Sequence, residues 1–156
     1  MSSSSTLFAI RIDRQVKDLI SIMATSDDVT EADFIEGLVL DEAWSRKLVQ
    51  ADDPGISLMR LKREAKKYLA PVRATADEHV TRDLFAHIQA TPRLFTYHEQ
   101  AIRPPSAKVS PEKRRQYVHQ RLGRFAKQYL GRKSLGEVLL PPGSGALIRS
   151  YTRLGK

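Results

Sequence analysis

The sequence predicts a mainly helical protein of the α+β class, with one strand near its N-terminus and a β-hairpin near its C-terminus. Two observations carry this prediction. Apolar residues recur at spacings of three and four through most of the chain, which is typical of amphipathic helices. Alternation with a period of two is confined to a short segment at each end, which is typical of strands.

The N-terminal part predicts a strand followed by two helices. Residues 6–12 alternate between inward-facing and outward-facing side chains, so we expect a half-buried strand. Asp13 predicts the start of a helix over 14–26, and Thr30 predicts the start of a second helix that runs to about Leu48. Asp and Thr are common first residues because their side-chain oxygens accept hydrogen bonds from free helical N–H groups.

The central part predicts two further helices. The Asp-Asp-Pro-Gly segment at 52–55 indicates a turn and a linker. Helices over 57–69 and 75–90 follow, and the second is expected to end before Pro92, since proline disrupts a helix interior.

The last third predicts a long helix and a hairpin. Ser110 is followed by proline and glutamate, a strong start signal for a helix that runs to about Leu130 and closes at Gly131. The segments 137–140 and 146–153 flank a Pro- and Gly-rich stretch, which indicates a β-hairpin.

Charge is distributed unevenly along the 156 residues. The net charge is +8, but residues 1–50 hold 5 basic and 9 acidic side chains, whereas residues 101–156 hold 13 and 2. So basic an end indicates a polyanionic partner, most often nucleic acid. An anionic membrane surface or an acidic protein is an alternative partner.

Several function classes are not expected. The chain has no cysteine, which excludes disulfides and thiolate chemistry. No apolar run approaches the roughly 20 residues that span a bilayer, and the serine-rich start predicts a flexible arm rather than a secretion signal. We therefore expect a cytoplasmic protein. No spacing matches a catalytic motif, so we also expect that the protein is not an enzyme and has no cofactor. The histidines show no metal-pair spacing; they are His79, His87, His98 and His119.

The C-terminal third supplies most of the candidate DNA-binding residues. Clustered cations interleaved with tyrosines are typical of surfaces that follow a phosphate backbone. On the long helix and just after it the candidates are Lys113, Arg114, Arg115, Tyr117, Arg121, Arg124, Lys127, Arg132 and Lys133. On the second strand of the hairpin they are Arg149, Tyr151 and Arg153.

Residues 6–47 resemble the ribbon-helix-helix family of DNA-binding repressors, the Arc and MetJ type. The resemblance lies in Phe8-Ala9-Ile10-Arg11-Ile12, in Val16-Lys17-Asp18-Leu19-Ile20 and in the segment from Thr30 through Leu40. It implies a homodimer in which the strands of two copies pair and enter the major groove. It further implies that Leu7, Ala9 and Arg11 face DNA and that Thr30 opens a helix whose N-terminus holds a phosphate.

These observations predict three units: a dimerisation and DNA-binding unit at 1–50, a helical connector at 51–109, and a basic helix with a hairpin at 110–156. The function we expect is that of a dimeric DNA-binding protein, either a transcriptional regulator or an accessory factor in plasmid or phage DNA processing. Duplex DNA is favoured over RNA. An RNA-binding protein that uses the basic C-terminal region and a non-catalytic protein-interaction adaptor stay open as alternatives.

Overall fold

Helices make up most of the computed structural model, which describes residues 9–156. Six α-helices and one short 3₁₀ turn precede a two-stranded antiparallel sheet in this part of the chain, which confirms the mainly helical fold. In order they are α1 (Arg14–Ser26), α2 (Glu31–Ser45), α3 (Pro54–Leu69), the 3₁₀ turn (Ala70–Val72), α4 (Val80–Ala90), α5 (Pro92–Ala101), α6 (Pro111–Leu130), β1 (Ser134–Leu139) and β2 (Ser150–Leu154).

Three predicted helix starts are confirmed by their capping hydrogen bonds. The Asp13 side chain accepts from the Gln15 N–H at 2.8 Å. Thr30 and Ser110 accept from the N–H groups three residues ahead, at 3.1 Å and 3.2 Å. Gly131 closes α6 with φ of 64°, as predicted. These helix ends depend only on residues within one turn of the helix terminus, so they can be predicted from the sequence.

The predicted N-terminal strand at 6–12 is not supported. Residues 6–8, with Leu7, lie outside the described residues, and residues 9–12 belong to no strand. A strand needs a hydrogen-bonded neighbour, and the partner that the sequence analysis invoked is a second copy of the chain. Within the single chain Ile10 and Ile12 are 62% and 41% exposed.

The central helices differ from the prediction at their ends. In the segment 52–55, residue 52 lies in a turn, as predicted, and α3 begins at Pro54, where the Asp53 carboxylate accepts from the N–H groups of Gly55 and Ile56 at 2.8 Å and 3.1 Å. Pro92 begins α5, a helix that the sequence analysis did not predict. A proline fits the first turn of a helix, where its missing N–H leaves no hydrogen bond unmade.

The hairpin is confirmed, with shifted strand ends. Val138 lies opposite Tyr151, and the register shifts between Ser134 and Gly136. The backbone N–H of Leu154 donates to the Glu78 carbonyl at 3.0 Å, which fixes the sheet to the segment before α4.

The hydrophobic core lies where α6 packs against α3, α4 and the sheet. The central residues of α6 are Val118, Leu122 and Ala126, and each is fully buried. The core residues contributed by α3, α4 and α5 are Leu58, Leu61, Ala65, Leu69, Val80, Leu84, Phe85, Ile88, Leu94 and Ala101. This packing leaves the opposite face of α6 turned to solvent.

Ion pairs fasten the N-terminal helices to this core. The Asp33 carboxylate on α2 accepts from Lys62 Nζ of α3 at 2.6 Å and from Arg121 Nη2 of α6 at 3.0 Å. Glu36 accepts from the same Arg121 nitrogen at 2.9 Å. Burial alone would raise the pKa of Asp33, but the hydrogen bond from Lys62 and the charges of Lys62 and Arg121 outweigh it and lower that pKa. We call Asp33, Glu36, Lys62 and Arg121 the ion cluster.

Most of the large apolar side chains exposed in the described residues lie before α3. Helices α1 and α2 pack on each other, yet each leaves an apolar stripe in solvent. The exposed members on and beside these helices are Ile10, Ile12, Val16, Leu19, Ile22, Met23, Ile35, Leu38, Val39, Trp44 and Leu48. We call them the N-terminal apolar face.

Two histidines, one buried and one half-buried, form a pair that the sequence spacing did not indicate. The Nε2 atoms of His98 on α5 and His119 on α6 are 2.9 Å apart, and the two rings stack with centroids 5.2 Å apart. His98 is 1% exposed. Burial lowers the pKa of both imidazoles, and that of His119 falls to about 3. Both rings are therefore uncharged at neutral pH.

This pair predicts a loss of stability in mild acid. The unfolded imidazole titrates near 6.5, whereas burial lowers the pKa of both rings in the folded protein, to about 3 for His119. Between those values the unfolded state binds more protons, so stability is complete above about pH 6.5 and falls as the pH drops, by up to about 1.4 kcal/mol per pH unit for each histidine. Urea unfolding at a series of pH values between about 7 and 5 measures the slope, in a range above most carboxyl pKa values.

Two variants identify the source of this slope. His119→Leu removes one titrating ring and makes the slope shallower. Phe85→Leu alters the ring beside His119 without removing a titrating group, so it lowers stability at every pH and leaves the slope as it is. Equal slopes in the wild type and in His119→Leu would contradict the assignment.

Candidate nucleic-acid interface

A cleft of about 620 Å³ runs between α6 and the hairpin. One wall is the solvent face of α6, the other is the sheet with the segment before β2, and α4 contributes to the floor. The polar and charged side chains on its walls are Glu112, Arg115, Gln116, Gln120, Arg124, Lys127, Ser134, Glu137, Arg149, Ser150 and Thr152. The sequence alone showed that many of these residues share a helix face, but not that the hairpin lies opposite.

Three cations on the α6 wall have no carboxylate partner among residues 9–156. They are Arg115, Arg124 and Lys127. The positions of the cleft residues along α6 repeat every three or four, which places them on one side of the helix. Arg115 and Arg124 are exposed and Lys127 is half-buried. These charges are available to a ligand without the loss of an existing ion pair.

The two acidic residues of the cleft are already engaged. Glu112 lies 3.3 Å from Arg149, in a pair whose side chains are 64% and 86% exposed. Such an exposed pair contributes little and is readily exchanged for another partner. Glu137 accepts a hydrogen bond from the Ser150 hydroxyl across the sheet. The cleft therefore has a net positive charge and no unengaged carboxylate on its walls.

The floor of the cleft is largely aromatic and apolar. His119 lies edge-on to Phe85, with ring centroids 5.2 Å apart. Tyr151 is buried, and its hydroxyl is hydrogen-bonded to Nδ1 of His79 at 2.6 Å. Leu147 and Ile148 complete the floor from the hairpin side.

One polar group on the floor is unsatisfied. Thr81 is 3% exposed, and its hydroxyl oxygen has no hydrogen-bond partner among the described residues. A buried hydroxyl left without a partner costs about 1–3 kcal/mol.

Gly123 opens the α6 wall above Thr81. A Cβ added there would meet only the Thr81 Cγ2, at 4.0 Å, so packing does not require glycine. Glycine within a helix costs about 0.8–1.0 kcal/mol relative to alanine. The missing side chain leaves room in the cleft.

The structure gives two of the predicted arginines on α6 internal partners. Arg114 is 5% exposed, and its Nε donates to the Ala101 carbonyl at 2.8 Å. Burial lowers the pKa of Arg114. Arg121 is held in the ion cluster by Asp33 and Glu36. Neither side chain is available to DNA in this arrangement.

Several other predicted residues also make internal contacts. Arg132 donates to the carbonyls of Ala76 and Arg73, at 2.6 Å and 3.2 Å. Arg153 donates to the Leu135 carbonyl at 3.2 Å and lies 3.7 Å from Glu78. The half-buried ring of Tyr117 receives the guanidinium groups of Arg114 and Arg121, at 5.2 Å and 5.9 Å from its centroid.

The remaining predicted residues are dispersed. Lys113 and Lys133 are exposed, and so are Ala9 and Arg11 before α1. Thr30 donates its hydroxyl hydrogen to Asp33 at 3.0 Å in addition to capping α2. The cleft thus brings together Arg115, Arg124, Lys127, Arg149 and Tyr151 from the predicted set. Sequence reasoning missed Thr81, Phe85 and His119 as cleft residues, and it did not use the isolated glycine at 123, which is a local signal of an open helix face.

The comparisons add no relative: no protein-family model, curated protein or solved structure matches the chain. Among the described residues no helix combines the length and apolar character needed to cross a bilayer. In the same residues no three His, Asp or Glu side chains are grouped so that they could hold a metal ion. Function is therefore inferred from the residues of the cleft and of the N-terminal apolar face.

Two arginines one turn apart on α6 should respond differently to truncation. Arg121→Ala leaves the half-buried Asp33 with one cation fewer, so we expect a loss of about 1–3 kcal/mol in the free energy of unfolding. Arg124→Ala removes a solvent-exposed side chain without an ion pair and should change that free energy by less than about 0.5 kcal/mol. Urea denaturation at neutral pH measures the free energy of unfolding of both variants. If Arg121→Ala loses no more than Arg124→Ala, less than about 0.5 kcal/mol, the ion cluster contributes little stability.

Proposed function

We propose that the protein binds DNA through the cleft between α6 and the hairpin, as a dimeric regulator or DNA-processing accessory factor and not as an enzyme. The observation that carries the proposal is the set of three α6 cations, Arg115, Arg124 and Lys127, which have no carboxylate partner within residues 9–156. Phosphate contacts from such side chains release condensed counterions, and this release supplies most of the affinity of non-specific DNA binding.

Cations elsewhere in the chain support this proposal by contrast. Arg46 pairs with Glu42 at 2.6 Å, and Arg63 pairs with Asp41 at 2.8 Å. Arg93 and Lys67 both contact Glu64, at 3.2 Å and 3.1 Å. These four cations thus have acidic partners nearby, whereas the α6 wall of the cleft concentrates three cations that have no carboxylate partner among residues 9–156. Excess charge of this kind attracts a polyanion.

A binding role is favoured over catalysis by the state of the side chains on the floor. Tyr151, the one tyrosine that lines the cleft, is buried and its hydroxyl is held by His79. His119 is paired with His98 through Nε2. The Tyr151 hydroxyl and the His119 Nε2 atom are therefore both engaged within the fold, and neither atom is free to act on a ligand in the cleft.

We further propose that two copies associate through the N-terminal apolar face. Exposed apolar surface of this extent, concentrated on two neighbouring helices, is typical of a protein interface. The occupant we propose is a second copy, since the resemblance to the ribbon-helix-helix family implies a symmetric dimer. Dimerisation would place two clefts on one DNA molecule and so raise the overall affinity.

Charge reversal in the cleft should weaken DNA binding. Replacing Arg124 and Lys127 by glutamate removes two phosphate contacts, so we expect at least about tenfold weaker binding to a random DNA duplex and a salt slope lower by about two. Fluorescence anisotropy at several salt concentrations measures both quantities. The control is the double reversal Lys47→Glu with Lys108→Glu, which makes the same change in net charge at exposed positions outside the cleft. If both double variants lose affinity equally, net charge and not the cleft governs binding.

A charged residue on the N-terminal apolar face should dissociate the dimer. Ile22 and Val39 are 65% and 62% exposed, so a glutamate at either position should leave the folded monomer intact while it places a charge in the interface. Sedimentation velocity should show a dimer for the wild type and a monomer for Ile22→Glu with Val39→Glu. Leu139→Glu is the matched control, because Leu139 is 78% exposed on the hairpin, away from this face. A wild-type monomer at micromolar concentration would exclude the interface.

A further inference from the structure

We propose that the cleft accepts one unpaired nucleotide of a DNA strand, with its base on the aromatic floor and its phosphate between the cationic walls. The inference rests on the proposed DNA binding and adds the form of DNA that is recognised. It follows from the volume of the cleft, from the side chains on its floor and from the positions of the cations on its walls.

The cleft is more than a row of cations, because it has a volume and a floor that phosphate contacts alone do not require. Cations on a convex helix face are sufficient to hold the backbone of a duplex. Here the cations lie along the walls of a cleft of about 620 Å³, within the range of pockets that enclose small organic ligands. In an intact duplex the bases stay stacked within the double helix and cannot enter the cleft. An unpaired nucleotide can turn its base into the cleft.

The floor presents uncharged rings and aliphatic groups. Phe85, His119 and Tyr151 line it, together with Leu147 and Ile148. The imidazole of His119 carries no proton charge at neutral pH, because burial lowers its pKa to about 3. Phe85 and Tyr151 are 4% and 5% exposed and His119 is half-buried, so His119 is the ring most open to a base. Stacking on a ring is tolerant of base identity, since every base has a π-face.

Thr81 supplies a hydrogen-bonding group that the fold does not use. Its side chain is 3% exposed, and its hydroxyl has no partner within the described residues. The hydroxyl oxygen is buried and the Thr81 methyl faces Gly123, so a rotation of the Thr81 side chain is needed to turn the hydroxyl to the cleft. The edge of a base carries both donors and acceptors that then complete this hydrogen bond. A ligand without polar edges would leave the hydroxyl unsatisfied.

Gly123 provides the space for the base. It interrupts the α6 wall above Thr81, between the cation Arg124 on one side and His119 one turn before it. A larger side chain at this position would project into the cleft and occupy the volume that the base needs. The cations Arg124 and Lys127 of α6 and Arg149 of the opposite wall then lie within the same cleft as the base, where a phosphate can contact both walls.

The test compares two DNA hairpins that differ only at their open end. One is blunt, and the other carries a short unpaired 3′ extension. The wild type should bind the extended hairpin about tenfold more tightly, as one stacked base contributes. Gly123→Leu should abolish this preference, so that it binds the two hairpins equally, while its melting temperature stays at the wild-type level or rises. Thr81→Val, which has nearly the same shape, should reduce the preference without lowering the melting temperature.

The outcomes separate this inference from the proposed function. Equal affinity of the wild type for the two hairpins, or a preference that survives in Gly123→Leu and in Thr81→Val, overturns the inference and leaves DNA binding intact. Failure to bind either hairpin at low salt overturns the proposed function as well. Deoxyadenosine monophosphate is the third probe. If it raises the melting temperature of the wild type but not of Gly123→Leu, and the extension gives no preference, the cleft takes a free nucleotide and the strand proposal is wrong.

Discussion

The burial of one face of α6 is the constraint on which the rest of the structure depends. Val118, Leu122 and Ala126 have no exposed surface, so the helix cannot rotate about its axis without exposing apolar groups. Successive helix positions differ by about 100°, so the buried face also sets the direction of every charged side chain. Arg114 points inward to the Ala101 carbonyl, whereas its neighbour Arg115 lines the cleft. The cleft is thus a product of core packing rather than of the charges themselves.

The helices that the sequence predicted well are those whose ends are set by neighbouring residues. Asp13, Thr30 and Ser110 accept hydrogen bonds within the following three residues, and Gly131 adopts a left-handed backbone that suits glycine. Proline was ambiguous, because it ends one helix and begins another equally well, and α5 was missed for that reason. The predicted strand at 6–12 is not supported, because residues 9–12 form no strand and the partner it needs is another molecule.

The candidate site was predictable only in its charges. Spacing along α6 placed Arg124 and Lys127 on a common face, and both line the cleft. The fate of Arg121 depended on Asp33, 88 residues away in sequence, and periodicity gives no information about such a contact. Thr81 and Phe85 lie on α4, and they reach the floor through tertiary packing that leaves no trace in local sequence. Contacts between residues far apart in sequence therefore determine which cations are free to bind a ligand and which side chains form the floor of the cleft.

Trp44, the single tryptophan of the chain, lies at the junction of α2 with the helical core. The guanidinium of Arg60 on α3 sits 5.4 Å from its ring and 5.6 Å from the ring of Tyr97 on α5, so one cation lies between aromatics from two parts of the fold. Indole emission depends on its surroundings, and 44% of this side chain meets solvent. The fluorescence of Trp44 therefore reports, without any attached dye, whether α2 remains packed against α3.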